Sequence, residues 1–302
     1  MRTSTPVSTT YSFAILRAPQ DAGRVRRRAF TARGKIAIGA VGVGLVALTL
    51  LSAPWLPLAD PNQIDPPQRL LPPLSPGHPL GTDELGRDLL SRLIWGGRLS
   101  LATGLAATAG ALLIGLPLGL FSGYLRGATE LVAMRLTDVV LAFPTILLAI
   151  AIVAGLGPSN LNAIVAGIVV GFPFYARLVM GNVLSLRERE FVLAARSLGA
   201  PLGRVLGVHV LPNTLQTVVV GAAIDVGAKI IAMASLSFLG LGTQPPTADW
   251  GVMLASGREF VTTAPHLATL PGLGIFLSVG LLNLLADGVT ERVSGRRDAS
   301  WR

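Results

Sequence analysis

The chain reads as an all-α, polytopic membrane protein with six transmembrane helices, and three observations lead there. Hydrophobic residues make up 51% and charged residues 14% of 302 residues, with a mean hydropathy of +0.62. That leaves too little polar surface to coat a water-soluble globule. Six apolar stretches, near residues 36–56, 100–121, 139–157, 161–181, 213–241 and 266–286, are about long enough to cross a ~30 Å hydrocarbon layer at ~1.5 Å rise per residue. Basic residues gather in the segments that alternation places on one side, as the positive-inside bias requires.

Residues 1–35 carry Arg2, Arg17, Arg24, Arg26, Arg27, Arg28, Arg33 and Lys35 against a single acid, Asp21, which predicts a cytoplasmic tail. Its first 30 residues are rich in Ser, Thr, Pro and Arg without apolar periodicity and read as disordered. Arg27-Arg28 before an apolar run resembles a twin-arginine export signal, but a run of about 20 residues exceeds a usual signal core. Residues 36–56 are therefore expected to remain as a signal anchor and first span. Residues 57–97 then fall outside. Pro57, Pro61, Pro66, Pro67, Pro72, Pro73, Pro76 and Pro79 favour extended, polyproline-like backbone over helix. A helix is expected from Thr82 or Asp83, with Leu85, Leu89, Leu93 and Ile94 as its stripe, an Asp88/Arg92 pair at i, i+4 and a stop at Gly96-Gly97. It would lie along the outer interface. The remaining spans form a transmembrane domain over 98–288, followed by a cytoplasmic tail, 289–302. Gly115, Gly119 and Gly123, and Gly167 and Gly171, recur at intervals of four, a spacing that lets helices approach closely in lipid.

The cytoplasmic segment 182–212 is the most informative. Phe191, Ala194, Ala195 and Leu198 recur at i, i+3, i+4 and i+7, giving one apolar helical face with Glu190 and Arg196 off it. Gly199 permits a turn that other residues resist. Leu202, Val205, Leu206 and His209 form a second short stripe, expected to end at Leu211-Pro212 because proline lacks the amide donor. The element is helix, tight turn, helix, and it can either rest on lipid headgroups or grip a soluble partner.

Asp225 and Lys229 stand as intramembrane charges four residues apart on one span. They can neutralise each other, snorkel, or form part of an ion pathway, in which case the protein would be a secondary transporter acting alone. The formal charge of +9 sits in membrane-flanking segments, which topology and anionic lipid explain, so no nucleic-acid partner is expected. The chain has no cysteine and three isolated histidines, His78, His209 and His266. It also lacks HExxH, G-x-S-x-G and G-x-x-x-x-G-K-[ST] patterns. It therefore reads as no enzyme, with no cofactor of its own, and any nucleotide that drives it would sit on another chain.

The segment Leu193-Ala194-Ala195, Gly199 and His209-Val210-Leu211-Pro212 resembles the coupling motif of bacterial ATP-binding-cassette importer permeases. The spacing is kept, with leucine replacing the usual acid and histidine the usual isoleucine. Three more segments resemble the C-type permease subunit of the dipeptide and oligopeptide group: His78 to Arg92, Met134 to Pro144, and Leu236 to Gly251. The resemblance implies a type I importer permease fold and alternating access. It also implies docking of Phe191, Ala194, Ala195, Arg196, Leu198, Gly199, Leu202, His209, Leu211 and Pro212 onto an ATPase that carries ATP and Mg. Its further implications are a second, homologous permease subunit, one or two ATP-binding subunits, and an extracytoplasmic binding protein touching Asp83, Arg87, Asp88, Gln244 and Trp250. Short peptides are the implied cargo, with nickel or another peptide-like solute as the alternative.

Overall fold

The computed structural model describes residues 31–299; the expected disordered tail, 1–30, lies outside the described residues. The helices are α1 (Ala32–Leu51), α2 (Leu89–Leu125), α3 (Ala128–Leu141), α4 (Thr145–Leu156), α5 (Asn160–Arg187), α6 (Glu190–Ser197), α7 (Leu202–Arg204), α8 (Leu211–Phe238), α9 (Trp250–Gly257) and α10 (His266–Ala299). Five helical runs are long and apolar enough to cross a membrane: 32–51, 89–125, 160–187, 202–238 and 266–292. The sixth expected span is bent. α3 and α4 meet at 88°, because Pro144 drives Phe143 out of helical conformation and cannot itself donate to the turn before it.

The outer segment differs from expectation in a second way. No helix starts at Asp83; α2 starts at Leu89, with the Asp88 carboxylate accepting from the Ser91 amide at 2.8 Å. It then passes through Gly96-Gly97 without a break and continues to Leu125. Those glycines serve packing: a Cβ on Gly97 would fall 2.3 Å from the Trp250 ring, and one on Gly96 3.1 Å from the Asp249 amide. Residues 57–88 are irregular, with a short 3-10 turn at Pro66–Gln68.

Small residues fix the bundle. α2 and α5 run side by side, with Gly115, Gly119 and Gly123 facing Phe172, Ala176 and Met180 so closely that a Cβ at Gly119 would lie 2.5 Å from the Ala176 carbonyl oxygen. Across the same seam Gly167 and Gly171 each admit an alanine of α2, Ala107 and Ala111. α1 packs antiparallel on α10, where Gly39 and Gly42 receive Leu285 and Leu281. Helix direction therefore puts the start of α1 and the ends of α2, α5 and α10 at one end of the bundle, and residues 57–88 with α9 at the other. Gly119→Leu is expected to part α2 from α5, at a cost of at least about 1–3 kcal/mol for overpacking. Thermal unfolding in detergent checks it.

Candidate functional site

At the end opposite residues 57–88, α6 packs against the end of α5 and against residues 205–210. Glu190 in its first turn and Arg196 in its last suit the helix dipole. Val192, with no exposed surface, anchors α6 in a cluster with Leu120, Val179, Val183, Val205, Leu206, Val210 and Val218. The stripe read from the sequence points the other way. Of that stripe Phe191, Ala194 and Leu198 are exposed, Leu198 by 88%, and Ala195 is half-buried; Leu193 and Leu202 are exposed beside them. Apolar spacing located a face but not what covers it; the anchor, Val192, falls outside that spacing and was missed.

Gly199 has φ +75°. Its amide donates to the Arg196 carbonyl at 3.0 Å and the Ala200 amide to the Ala195 carbonyl at 3.1 Å. This reciprocal pair closes a helix end on a left-handed residue. Pro201 follows and leads into α7. The expected stop at Pro212 does not occur. Residues Val205–Val210 widen into a π turn in which the Leu211 amide reaches back to the Leu206 carbonyl. The wider turn accommodates the proline ring and its missing donor, and Asn213 Nδ2 donates to the His209 carbonyl at 2.7 Å. Phe191 and His209 rings stand 6.3 Å apart, closing the helix pair. Arg187 Nη1 donates to the Tyr124 carbonyl at 3.1 Å, which ties the end of α5 to the last turn of α2.

The opposite end is a polar cap. Asp83 is 3% exposed and accepts on Oδ2 from Arg87 Nε at 2.6 Å and pairs with Arg92 Nε at 3.3 Å. Its other oxygen takes the Leu85 and Arg87 amides. Arg92 Nη1 also donates to the Pro61 and Pro246 carbonyls. The expected Asp88/Arg92 pair is thus replaced, since Asp88 caps α2 and meets His78 Nδ1 at 2.9 Å. Trp250 is wedged between Gly97 and Gly274, and its indole N–H donates to the Leu93 carbonyl at 2.8 Å. Asp249 accepts from Ser100 Oγ at 2.7 Å and caps α9. Burial pushes the Asp249 carboxyl above its ordinary value, while those hydrogen bonds pull it down. The side chains of Asp83, Arg87, Asp88 and Trp250 are therefore engaged inside the chain; of the residues expected to meet a binding protein, only Gln244 is exposed.

Asp225 and Lys229 are not paired within 4.0 Å. The Tyr175 hydroxyl of α5 donates to Asp225 Oδ2 at 2.9 Å, and the Lys229 side chain extends instead over Gly171. A further charge in the bundle went unread in the sequence: Arg177 of α5 reaches Asp138 of α3 at 2.6 Å.

Comparison with known proteins identifies the family and the fold. The profile of the family described as "Binding-protein-dependent transport system inner membrane component" matches residues 115–298. The chain is 42% identical over 268 residues to the dipeptide transport system permease protein DppC of Alkalihalophilus pseudofirmus, covering 88% of each. It is 42% identical to the probable D,D-dipeptide transport system permease protein DdpC of Escherichia coli strain K12, covering 83% of this chain and 84% of that one. Identity to the glutathione transport system permease protein GsiD of Pectobacterium atrosepticum is 44%, over 83% of this chain and 85% of that one. Among solved structures, the inward-facing MetNI methionine ABC transporter superposes with a TM-score of 0.55 at 21% identity, over 68% of this chain and 97% of its own. The fold is that of a type I ABC importer permease, and the chain belongs to the family of binding-protein-dependent transport system inner membrane components.

Proposed function

We propose that this chain is one half of the membrane pathway of an ATP-driven importer of short peptides. The observation that carries the reading is the exposed apolar face of α6, closed by the Gly199 turn and anchored from behind by Val192. A rigid handle with Phe191, Ala194 and Leu198 outward suits a cleft on an ATP-hydrolysing subunit, where apolar contact takes the place of the acid that Leu193 replaces. ATP and Mg bind on that subunit. Its closure pushes α6, and the bundle passes the motion to the pathway between this chain and a second, homologous permease. α6 and both chain ends are cytoplasmic, and the cap faces the extracytoplasmic binding protein through exposed loop residues such as Gln244. The relatives' names, which give a dipeptide, a D,D-dipeptide and glutathione, support short peptides as the cargo.

Leu198→Asp tests the docking half of this reading. The substitution leaves the Val192 anchor untouched, so the amount of permease in the membrane is expected to stay unchanged, while ATPase subunit recovered with solubilised permease falls about tenfold, as for loss of a buried apolar anchor. Unchanged recovery, or peptide uptake driven by a proton gradient without any ATPase, defeats it.

A further inference from the structure

Lys229 is 8% exposed in the middle of an apolar helix. Among the described residues no carboxylate oxygen comes within 4.0 Å of its ammonium, and no hydrogen bond from it is formed. The space it occupies is made for it. A Cβ on Gly171 would fall 2.6 Å from Nζ, and the same point lies 3.0 Å from Ala111 Cβ. Any side chain on α5 there would displace the ammonium. One turn along α8, Asp225 is half-buried and its carboxylate is fixed by the Tyr175 hydroxyl at 2.9 Å. Phe174, about half exposed, packs edge-on to Tyr175 with ring centroids 5.1 Å apart, and Lys229 Nζ is not among the fully buried unpartnered atoms, so the Asp225 end of the pair lies beside an open apolar surface and the ammonium keeps some exposure.

A buried cation without an anion is costly, and removing its counter-charge is far worse than never burying it. The unmet positive charge is therefore a place for an arriving anion. The spacing of the two charges is itself informative. Side chains at i, i+4 have Cβ atoms about 5–6 Å apart, and an extended dipeptide spans about 7 Å at most. A short peptide has one cationic and one anionic end at about that separation.

We infer that Lys229 receives the terminal carboxylate of a peptide in transit, with the Tyr175-held Asp225 facing the peptide's amino end. This rests on the peptide-importer reading and narrows it: the pathway, and not the binding protein alone, selects peptides with a free carboxyl terminus. Gly171 is the positioning residue that leaves room for the ammonium.

The test uses the complete transporter in proteoliposomes with its own binding protein, and compares uptake of one dipeptide with a free carboxyl terminus and its C-terminal amide. Lys229→Met is expected to reduce uptake of the free acid about tenfold, the worth of one charge-assisted hydrogen bond, while leaving the amide within about twofold of wild type. Lys229→Arg, which keeps the charge, is expected to keep the preference for the free acid. Since the binding protein is the same throughout, a changed ratio belongs to the permease. Equal loss for both peptides, which an acid on the second permease pairing with Lys229 would produce, overturns the inference. So does an unchanged ratio in Lys229→Met. If the wild-type complex takes up neither peptide, the peptide-importer reading falls and this inference falls with it.

Discussion

Gly199→Val is expected to leave the protein inserted in the membrane and to uncouple it from ATP hydrolysis. Nothing lies within 4 Å of where a Cβ would sit at this position, so the substitution causes no collision. The penalty lies in the backbone. At φ +75° an L-residue pays about 1–2 kcal/mol, and a β-branched one sits there least readily of all. If the turn flips to escape that cost, the bonds from Gly199 to Arg196 and from Ala200 to Ala195 are lost. The angle between α6 and the α7–π segment that follows the turn then changes, while Val192 stays in its cluster. A penalty of that size shifts the population of the docked geometry about 5–30-fold, and peptide uptake should fall accordingly at unchanged membrane abundance. Gly199→Asn, whose side chain tolerates the left-handed region, should recover most of the activity. Wild-type uptake by the valine variant would mean that the turn plays no part in coupling.

The second large effect is expected at the other end of the molecule. Asp83→Ala removes the one carboxylate that meets both Arg87 and Arg92, each at most 4% exposed. Glu84 still reaches Arg87 Nη2 at 2.8 Å, but Arg92 keeps only the Pro61 and Pro246 carbonyls. Breaking a buried ion pair by deleting one partner costs about 3–5 kcal/mol, and here two cations share the loss. The variant should unfold at a markedly lower temperature in detergent and be depleted from the membrane. Glu84→Ala, which touches the partly exposed rim of the same network, should change stability by less than about 1 kcal/mol. Equal melting of Asp83→Ala and wild type would mean that the cap contributes nothing to stability.

What could be read from the sequence was what is decided locally. The helix and turn at 190–199 were legible because an eight-residue amphipathic segment followed by glycine and proline carries its own instructions. The glycines at 115, 119 and 123 were read as a close seam, and α5 occupies it. Misreadings arose wherever a distant residue makes the decision. Gly96-Gly97 looks like a stop in isolation, yet Trp250 and Asp249, far along the chain, turn it into a socket. Asp88 and Arg92 have ideal spacing for a pair, but Arg92 finds Asp83 and two carbonyls from separate loops. Asp225 and Lys229 likewise have the spacing, and a hydroxyl and a glycine on α5 separate them. Pro212 and Pro144 differ for a physical reason. A π turn can absorb the first, whereas no widened turn precedes the second and the chain bends.

α2 runs unbroken for 37 residues, a rod about 55 Å long. One end is riveted into the cap by Asp88, Ser91 and Arg92, and the other is bonded through the Tyr124 carbonyl to Arg187, just ahead of α6. Pro117, inside α2 between Gly115 and Gly119, leaves one backbone bond of the helix unmade, which gives a rod held at both ends a soft joint at that level. Tilting it by about 5° swings its far end by about 5 Å over that length, a stroke comparable to the width of a peptide backbone. The gearing between the α6 end and the cap end of the bundle can thus reside in one helix, whose mechanical ratio is set by where along its length Gly104, Gly115 and Gly119 place the fulcrum against α8 and α5.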